Sequence, residues 1–167
     1  VQFIDSNKLI SAGAADGVIK LWDIRNYGFY SKKKFPISAD YSVPSETSIR
    51  KYGITSLTLS PDNSVFASCM DNQYLLFLLI FSIYEFGINN LKAPINAFTA
   101  KSYKCGSFYV RTSISPDGRF LCSGSSDGNL HIWEVNLPLH APFLMSGYEE
   151  EITGVSWSSG DLDQVIL

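Results

Sequence analysis

Residues 109–135 read YVRTSISPDGRFLCSGSSDGNLHIWEV. Two reversals punctuate the stretch, Ser115-Pro116-Asp117-Gly118 and Asp127-Gly128, and the runs between them alternate in side-chain character. Proline presets φ at the second position of a turn. Glycine accepts the positive φ that closes one, and an aspartate carboxylate receives backbone N–H groups of the reversal. Alternation is the period of a strand with two different faces. The stretch therefore reads as strand, SPDG turn, strand, DG turn, and a third strand ending at Trp133.

The same order recurs along the chain. LISAGAADGVIKLWDIR (Leu9–Arg25) and VFASCMDNQYLLF (Val65–Phe77) align with FLCSGSSDGNLHIWEV (Phe120–Val135) on Asp16, Asp71 and Asp127, which are followed by Gly17, Asn72 and Gly128. An aromatic residue stands at the same distance beyond each aspartate: Trp22, Phe77 and Trp133. Upstream, ITSLTLSPDN (Ile54–Asn63) repeats the strand and turn of residues 109–118, and EITGVSWSSGD (Glu151–Asp161) repeats the strand without the proline. Self-similarity of this kind marks a repeat architecture. The units fall at about 1–30, 50–90, 104–138 and 148–167, the first being the end of a unit and the last the beginning of one.

Composition narrows the function. With 46% hydrophobic and 17% charged residues the 167-residue chain is globular in character,. A net charge of -3 argues against direct nucleic-acid binding, because that affinity needs many Lys and Arg acting together,. Lys32 to Lys34 and Arg50 to Lys51 are small basic clusters that read as solvated connectors, with a docking patch for an acidic partner as the alternative,. Cys69, Cys105 and Cys122 lack the paired spacing of a zinc site or a disulfide framework, so they read as reduced thiols and no metal is expected,. Such thiols suit a cytosolic or nuclear protein.

His131 and His140 have no ligand-spaced Cys, Asp or Glu beside them, and Ser123-Gly124-Ser125-Ser126 is neither a nucleophile elbow nor a phosphate loop,. No catalytic residue and no cofactor is expected. The apolar run YLLFLLIFSIY (Tyr74–Tyr84) is far shorter than the roughly 20 residues that span a bilayer as a helix,. It reads as a buried strand with an extension, and no membrane partner is expected. Two registers fit it: Tyr74 to Phe77 completes the third strand and the excess follows, or Ile83 to Phe86 is the true strand end and an insertion precedes it. A mis-spliced or mis-assembled gene product at Tyr74 to Ser82 is a further reading. The chain starts at Val1 without a leader pattern and reads as cut from something longer,.

The order of strands and turns, with Trp22-Asp23 closing a third strand, resembles the WD-repeat family, whose units form four-stranded blades around a central channel. The implied fold class is all-β, a partial WD-repeat propeller of about three to four blades with the ring incomplete. Open edges then predict aggregation, or a need for further blades. The family's Gly-His at the start of a blade is absent, Gly147-Tyr148 standing in its place before the last unit. This leaves the family's His, Ser, Asp, Trp network incomplete and makes Asp16 and Asp127 turn caps.

Three stretches narrow the resemblance: residues 9–25, SIRKYGITSLTLSPDNSVFASCMDN at Ser48–Asn72, and SFYVRTSISPDGRFLCSGSSDGNLHIWEV at Ser107–Val135. They are similar to the middle of the propeller of the denticleless family, substrate receptors of a cullin-RING ubiquitin ligase. The resemblance implies a nuclear receptor whose Trp22, Asp23 and Arg25 dock the damage-specific DNA-binding adaptor, Asp23 fixing the Arg25 rotamer. It also implies protein substrates bound to the replication sliding clamp. A plain solvated charge is the alternative reading of Arg25, and Asn136 stands at its place in a later unit. Glu149, Glu150 and Glu151 read as a solvated blade entrance, with recognition of a basic substrate as the alternative. A general WD-repeat scaffold and a nonfunctional fragment remain the competing readings of the whole.

Overall fold

The computed structural model describes residues 1–15, 17–26, 37–39, 53–70, 83–91, 94–160 and 164–166. They form four separate antiparallel sheets. The first holds β1 (Gln2–Phe3), β2 (Lys8–Ala12), β3 (Ile19–Asp23) and β4 (Ile37–Ala39), in that order. The second holds β5 (Ile54–Leu59), β6 (Ser64–Cys69), β7 (Ile83–Gly87) and β8 (Asn96–Phe98), and the third β9 (Thr112–Ile114), β10 (Phe120–Ser123), β11 (Asn129–Glu134) and β12 (Phe143–Ser146). Only β13 (Ser156–Trp157) and β14 (Val165–Ile166) make the fourth. The repeats are thus distinct meanders, three of them four-stranded, rather than one continuous sheet. The first of them is fuller than the sequence reading had it, because the two-residue β1 is too short to show alternation.

Contacts between sheets place the first strand of each at the centre: β1 meets β5, β5 meets β9 and β9 meets β13. Hydroxyl side chains stitch these inner strands together. Thr58 Oγ1 donates to the Thr112 carbonyl at 2.8 Å, the Thr112 N–H donates to Ser56 Oγ at 3.2 Å, and the Trp157 N–H donates to Ser113 Oγ at 2.9 Å. Backbone bonds cross the seams beside them, from Ile54 N–H to Gly13 C=O and from Ile152 N–H to Ser125 C=O, each at 3.2 Å.

The turns form as their residues require. Asn63 (φ 66°) and Gly118 (φ 74°) close the SPDN and SPDG reversals, and their N–H groups donate to Ser60 and Ser115 carbonyls at 3.0 and 2.9 Å. Gly128 (φ 77°) closes the Asp127 turn in the left-handed region that a side chain disfavours,. Apolar residues on both faces of the second sheet bury it between its neighbours, and every residue of β6 is buried,. One core cluster lies on each seam: Ile10, Ile19, Leu57, Val65 and Phe86 on the first; Phe66, Phe98, Tyr103, Leu121 and Trp133 on the second; Cys122, Leu130 and Ile152 on the third.

The ambiguous register resolves at β7. Val65 pairs with Phe86 as Leu9 pairs with Trp22 and Leu121 with Trp133, so Phe86 is the third-strand aromatic. Ile83–Gly87 is the true strand and the excess precedes it. Asp71, Phe77 and the rest of residues 71–82 lie outside the described residues, as do Asp16 and both basic clusters.

Candidate functional site

The third strands leave their sheets in one repeated manner. The residue two past the aromatic donates its N–H to the first turn of the same sheet: Ile24 to the Asn7 carbonyl (2.8 Å), Ile88 to Asn63 (3.2 Å) and Val135 to Arg119 (2.8 Å). The next residue projects from the rim that carries the SPD turns. In the three sheets it is Arg25, Asn89 and Asn136, so the first sheet alone presents a cation there.

Arg25 sits in a single 3-10 turn, Ile24–Asn26, that ends β3. Its side chain is 61% exposed, and Asp23 grips it edge-on: Nε lies 3.0 Å from Oδ1 and 3.2 Å from Oδ2, and Nη2 lies 2.5 Å from Oδ2. The Asp23 carboxylate also accepts the Arg25 backbone N–H at 3.0 Å. Side-chain hydrogen bonds from Arg25, then its backbone N–H, hold the Asp23 carboxyl down at about 2. A guanidinium is planar and its donors are fixed relative to one another, so a partner on the Nε edge sets the direction of the Nη1 edge. Trp22, the residue before Asp23 on β3, is half-buried, with Nε1 donating to Ser11 Oγ at 2.8 Å. The structure therefore joins Asp23 and Arg25 as one exposed unit, whereas the Trp22 indole is bonded to Ser11 instead.

The third sheet holds the other polar cluster. Asp127 caps its turn, Oδ1 accepting the Asn129 N–H at 3.1 Å and Oδ2 accepting Asn129 Nδ2 at 2.9 Å. Burial works against the Asp127 charge, yet these bonds together with one from Ser125 keep its carboxyl below the usual range. His131 is fully buried, stacked on Trp133 (ring centres 5.6 Å apart) and meeting the edge of Tyr103 (5.2 Å). Its Nε2 lies 3.1 Å from Ser102 Oγ and 3.9 Å from Asp127 Oδ2. Burial pushes its imidazole below the ordinary value, and Asp127 offsets only part of that. It is a packed core residue.

Two participants were not legible beforehand. Tyr103 is buried and its hydroxyl lies 2.9 Å from Ser123 Oγ. It sits in a connector without periodicity. Arg111, at the start of the inner strand β9, is exposed and its Nη1 donates to the Thr55 carbonyl of the neighbouring sheet. Of the acidic run, Glu151 accepts Ser126 Oγ at 2.5 Å, whereas Glu149 and Glu150 are exposed. All three cysteines are buried thiols, and burial pushes the Cys122 thiol up to about 12. Among the described residues no His, Cys, Asp and Glu group is placed to hold a metal, and no helix is long and apolar enough to cross a membrane.

Comparison with known proteins matches the model of the WD domain, G-beta repeat, to residues 1–23, 46–77 and 100–134. The second span stops at residue 77, short of the strand that the structure builds at Ile83–Gly87. The chain is 40% identical over 99% of its length to a denticleless protein homolog of Danio rerio and, at the same identity and coverage, to one of Mus musculus. It is 34% identical over 95% of its length to the protein lethal(2)denticleless of Drosophila melanogaster. It spans 24%, 21% and 19% of those proteins. Among solved structures it superposes on a chain of the crystal structure of the mitotic checkpoint complex with a TM-score of 0.66 at 14% identity, covering 99% of this chain and 41% of that one. That likeness establishes the propeller fold.

Proposed function

Because the chain belongs to the WD domain, G-beta repeat family, we propose that it is a non-catalytic docking module, part of a substrate receptor for a cullin-RING ubiquitin ligase. The observation that carries this reading is the exposed Asp23–Arg25 fork at the rim of the first sheet. Its similarity to denticleless proteins supports the ligase role. Arg25 meets the damage-specific DNA-binding adaptor, its pre-oriented Nη1 edge seeking a carbonyl or carboxylate there. The receptor works in the nucleus by proximity, holding protein substrates presented on the replication sliding clamp near a conjugating enzyme bound elsewhere.

The test is co-purification of the adaptor with the full-length receptor. Arg25→Ala removes the fork and abolishes or strongly weakens recovery of the adaptor, whereas the protein keeps its melting temperature. Arg25→Lys also fails, since a single ammonium does not reproduce the planar fork. Unchanged recovery with Arg25→Ala sinks the adaptor assignment and leaves a general WD-repeat scaffold, the reading that the fold alone supports.

A further inference from the structure

The place of the Asp23–Arg25 fork is filled differently on the neighbouring sheet. Gly87 pairs with Ser64 as Asp23 pairs with Lys8, so a glycine stands on the second sheet where the first has its carboxylate. The side chain of Ile95 lies over that glycine, with Cδ1 3.4 Å from where a Cβ of residue 87 would be. The same rim thus carries an ionic fork on one sheet and an isoleucine on the next. The two positions adjoin, because the connection from β7 to β8 leans on the first sheet: its Leu91 is buried with Ile10 and Ile19, and Ile88 and Ile4, the latter from the β1–β2 turn, pack against the same cluster.

Ile95 is 61% exposed although the first and third sheets flank the second on both sides. Its exposure is a property of the rim. A solitary exposed isoleucine is ordinary on a protein surface, but this one is held ready. Its N–H donates to the Glu85 carbonyl at 2.7 Å, Pro94 fixes the backbone just before it, and its β-branched side chain has little rotamer freedom to lose,. Arg25 is held in the same sense by Asp23. Side chains fixed before contact lose least on binding, which is the property of interface anchors. Among the described residues of the connection, the exposed side chains of Asn89, Asn90 and Ile95 carry no charge.

Resting on the adaptor reading of Arg25, we propose that Ile95 is the second anchor of the same interface. The partner face that offers a carboxylate or carbonyl to Arg25 offers an apolar pocket to Ile95. Charge pattern selects that face: one oxygen acceptor opposite the first sheet, and an uncharged apolar area opposite the connection of the second. The two anchors do different work, since the guanidinium fixes direction through its planar donors and the isoleucine adds buried apolar area.

The test uses the full-length receptor and purified adaptor, with dissociation constants from biolayer interferometry and a melting temperature for every variant. Ile95→Ala weakens binding about tenfold and Ile95→Asp more, whereas Ile95→Val keeps most of the affinity and all three keep the melting temperature. Salt separates the anchors: higher ionic strength shrinks the loss caused by Arg25→Ala and leaves that of Ile95→Ala unchanged. Normal binding by Ile95→Ala and Ile95→Asp, with binding lost in Arg25→Ala, overturns this inference and keeps the adaptor reading. Normal binding by all of them overturns both. Loss in the Ile95 variants while Arg25→Ala binds normally overturns the shared interface. A melting temperature that falls in step with affinity in every Ile95 variant marks a purely structural role and overturns it too.

Discussion

Tyr103 holds the hydroxyl of Ser123 at 2.9 Å, and the indole of Trp133 is left with no partner for Nε1. The matched indole in the first sheet, Trp22, donates to Ser11, which stands where Ser123 stands. A buried N–H without an acceptor costs about 1–3 kcal/mol. Tyr103→Phe is expected to release Ser123 to accept the Trp133 N–H, so that stability changes by less than about 1 kcal/mol. Ser123→Ala leaves the buried Tyr103 hydroxyl without its partner and costs about 1–3 kcal/mol,. Denaturant midpoints compare the two, and a shifted Trp133 indole proton resonance in Tyr103→Phe identifies the new bond.

His131 sets a pH dependence. Burial holds its folded pKa below the 6.5 of a solvated imidazole, so the unfolded chain binds the proton more readily than the folded one. Stability therefore falls as pH drops below 6.5,. Asp127, whose folded pKa is also lowered, adds a loss in the same direction in the carboxylate range. His131→Gln, which keeps a hydrogen-bonding group toward Ser102, should flatten the stability profile near pH 6 and leave the steeper acid limb. A profile that keeps its slope near pH 6 would show that another group titrates there.

Gly124 and Gly53 mark where adjoining sheets approach too closely for a side chain: a Cβ at Gly124 would strike the Ile152 carbonyl, and one at Gly53 the Ala14 carbonyl. Either Gly→Ala change must push a seam apart. The expected loss is about 1–3 kcal/mol, the scale of overpacking in a close-packed interior, read from urea unfolding. Gly154→Ala, with open space around it, is the control that should stay near neutral.

Asp23 reports on the fork directly. Its carboxyl is held at about 2 chiefly by the Arg25 side chain, and in Arg25→Ala it should rise toward the ordinary carboxylate range, with the residue-25 N–H still holding it somewhat below. Carboxyl chemical shifts followed through an acid titration measure both. An unchanged Asp23 titration would mean that the ion pair does not persist in solution.

Phe86→Ala should cost about 3–5 kcal/mol, since the ring is 1% exposed in the first seam,. Trp22→Ala should cost less, because the first sheet's outward face leaves that indole only half-buried.

Local punctuation made the repeats legible. Asp127-Gly128, Ser115-Pro116 and Trp133 each fix a turn or strand position from short-range chemistry alone, and the sheets follow from them. Where such marks are missing, reading stopped. The apolar run through residues 74–84 has no Gly, Pro or Asn to set its register, so only the pairing of Val65 with Phe86 decides between two strand ends. Arg25, its Asp23 partner and the Asn136 at its place in the third sheet could be picked out, but not the equivalence with Asn89, which depends on that same register. Tyr103 reaches Ser123 across the fold, a contact that no local pattern encodes.

The inner strands are joined to one another chiefly through Ser56, Thr58, Thr112 and Ser113 rather than by a backbone ladder. Cohesion within a sheet and cohesion between sheets are consequently of different kinds. Pulled at its two ends, such a molecule would lengthen in discrete jumps as whole meanders detach one after another, because side-chain contacts across a seam let go before the ladders within a sheet do.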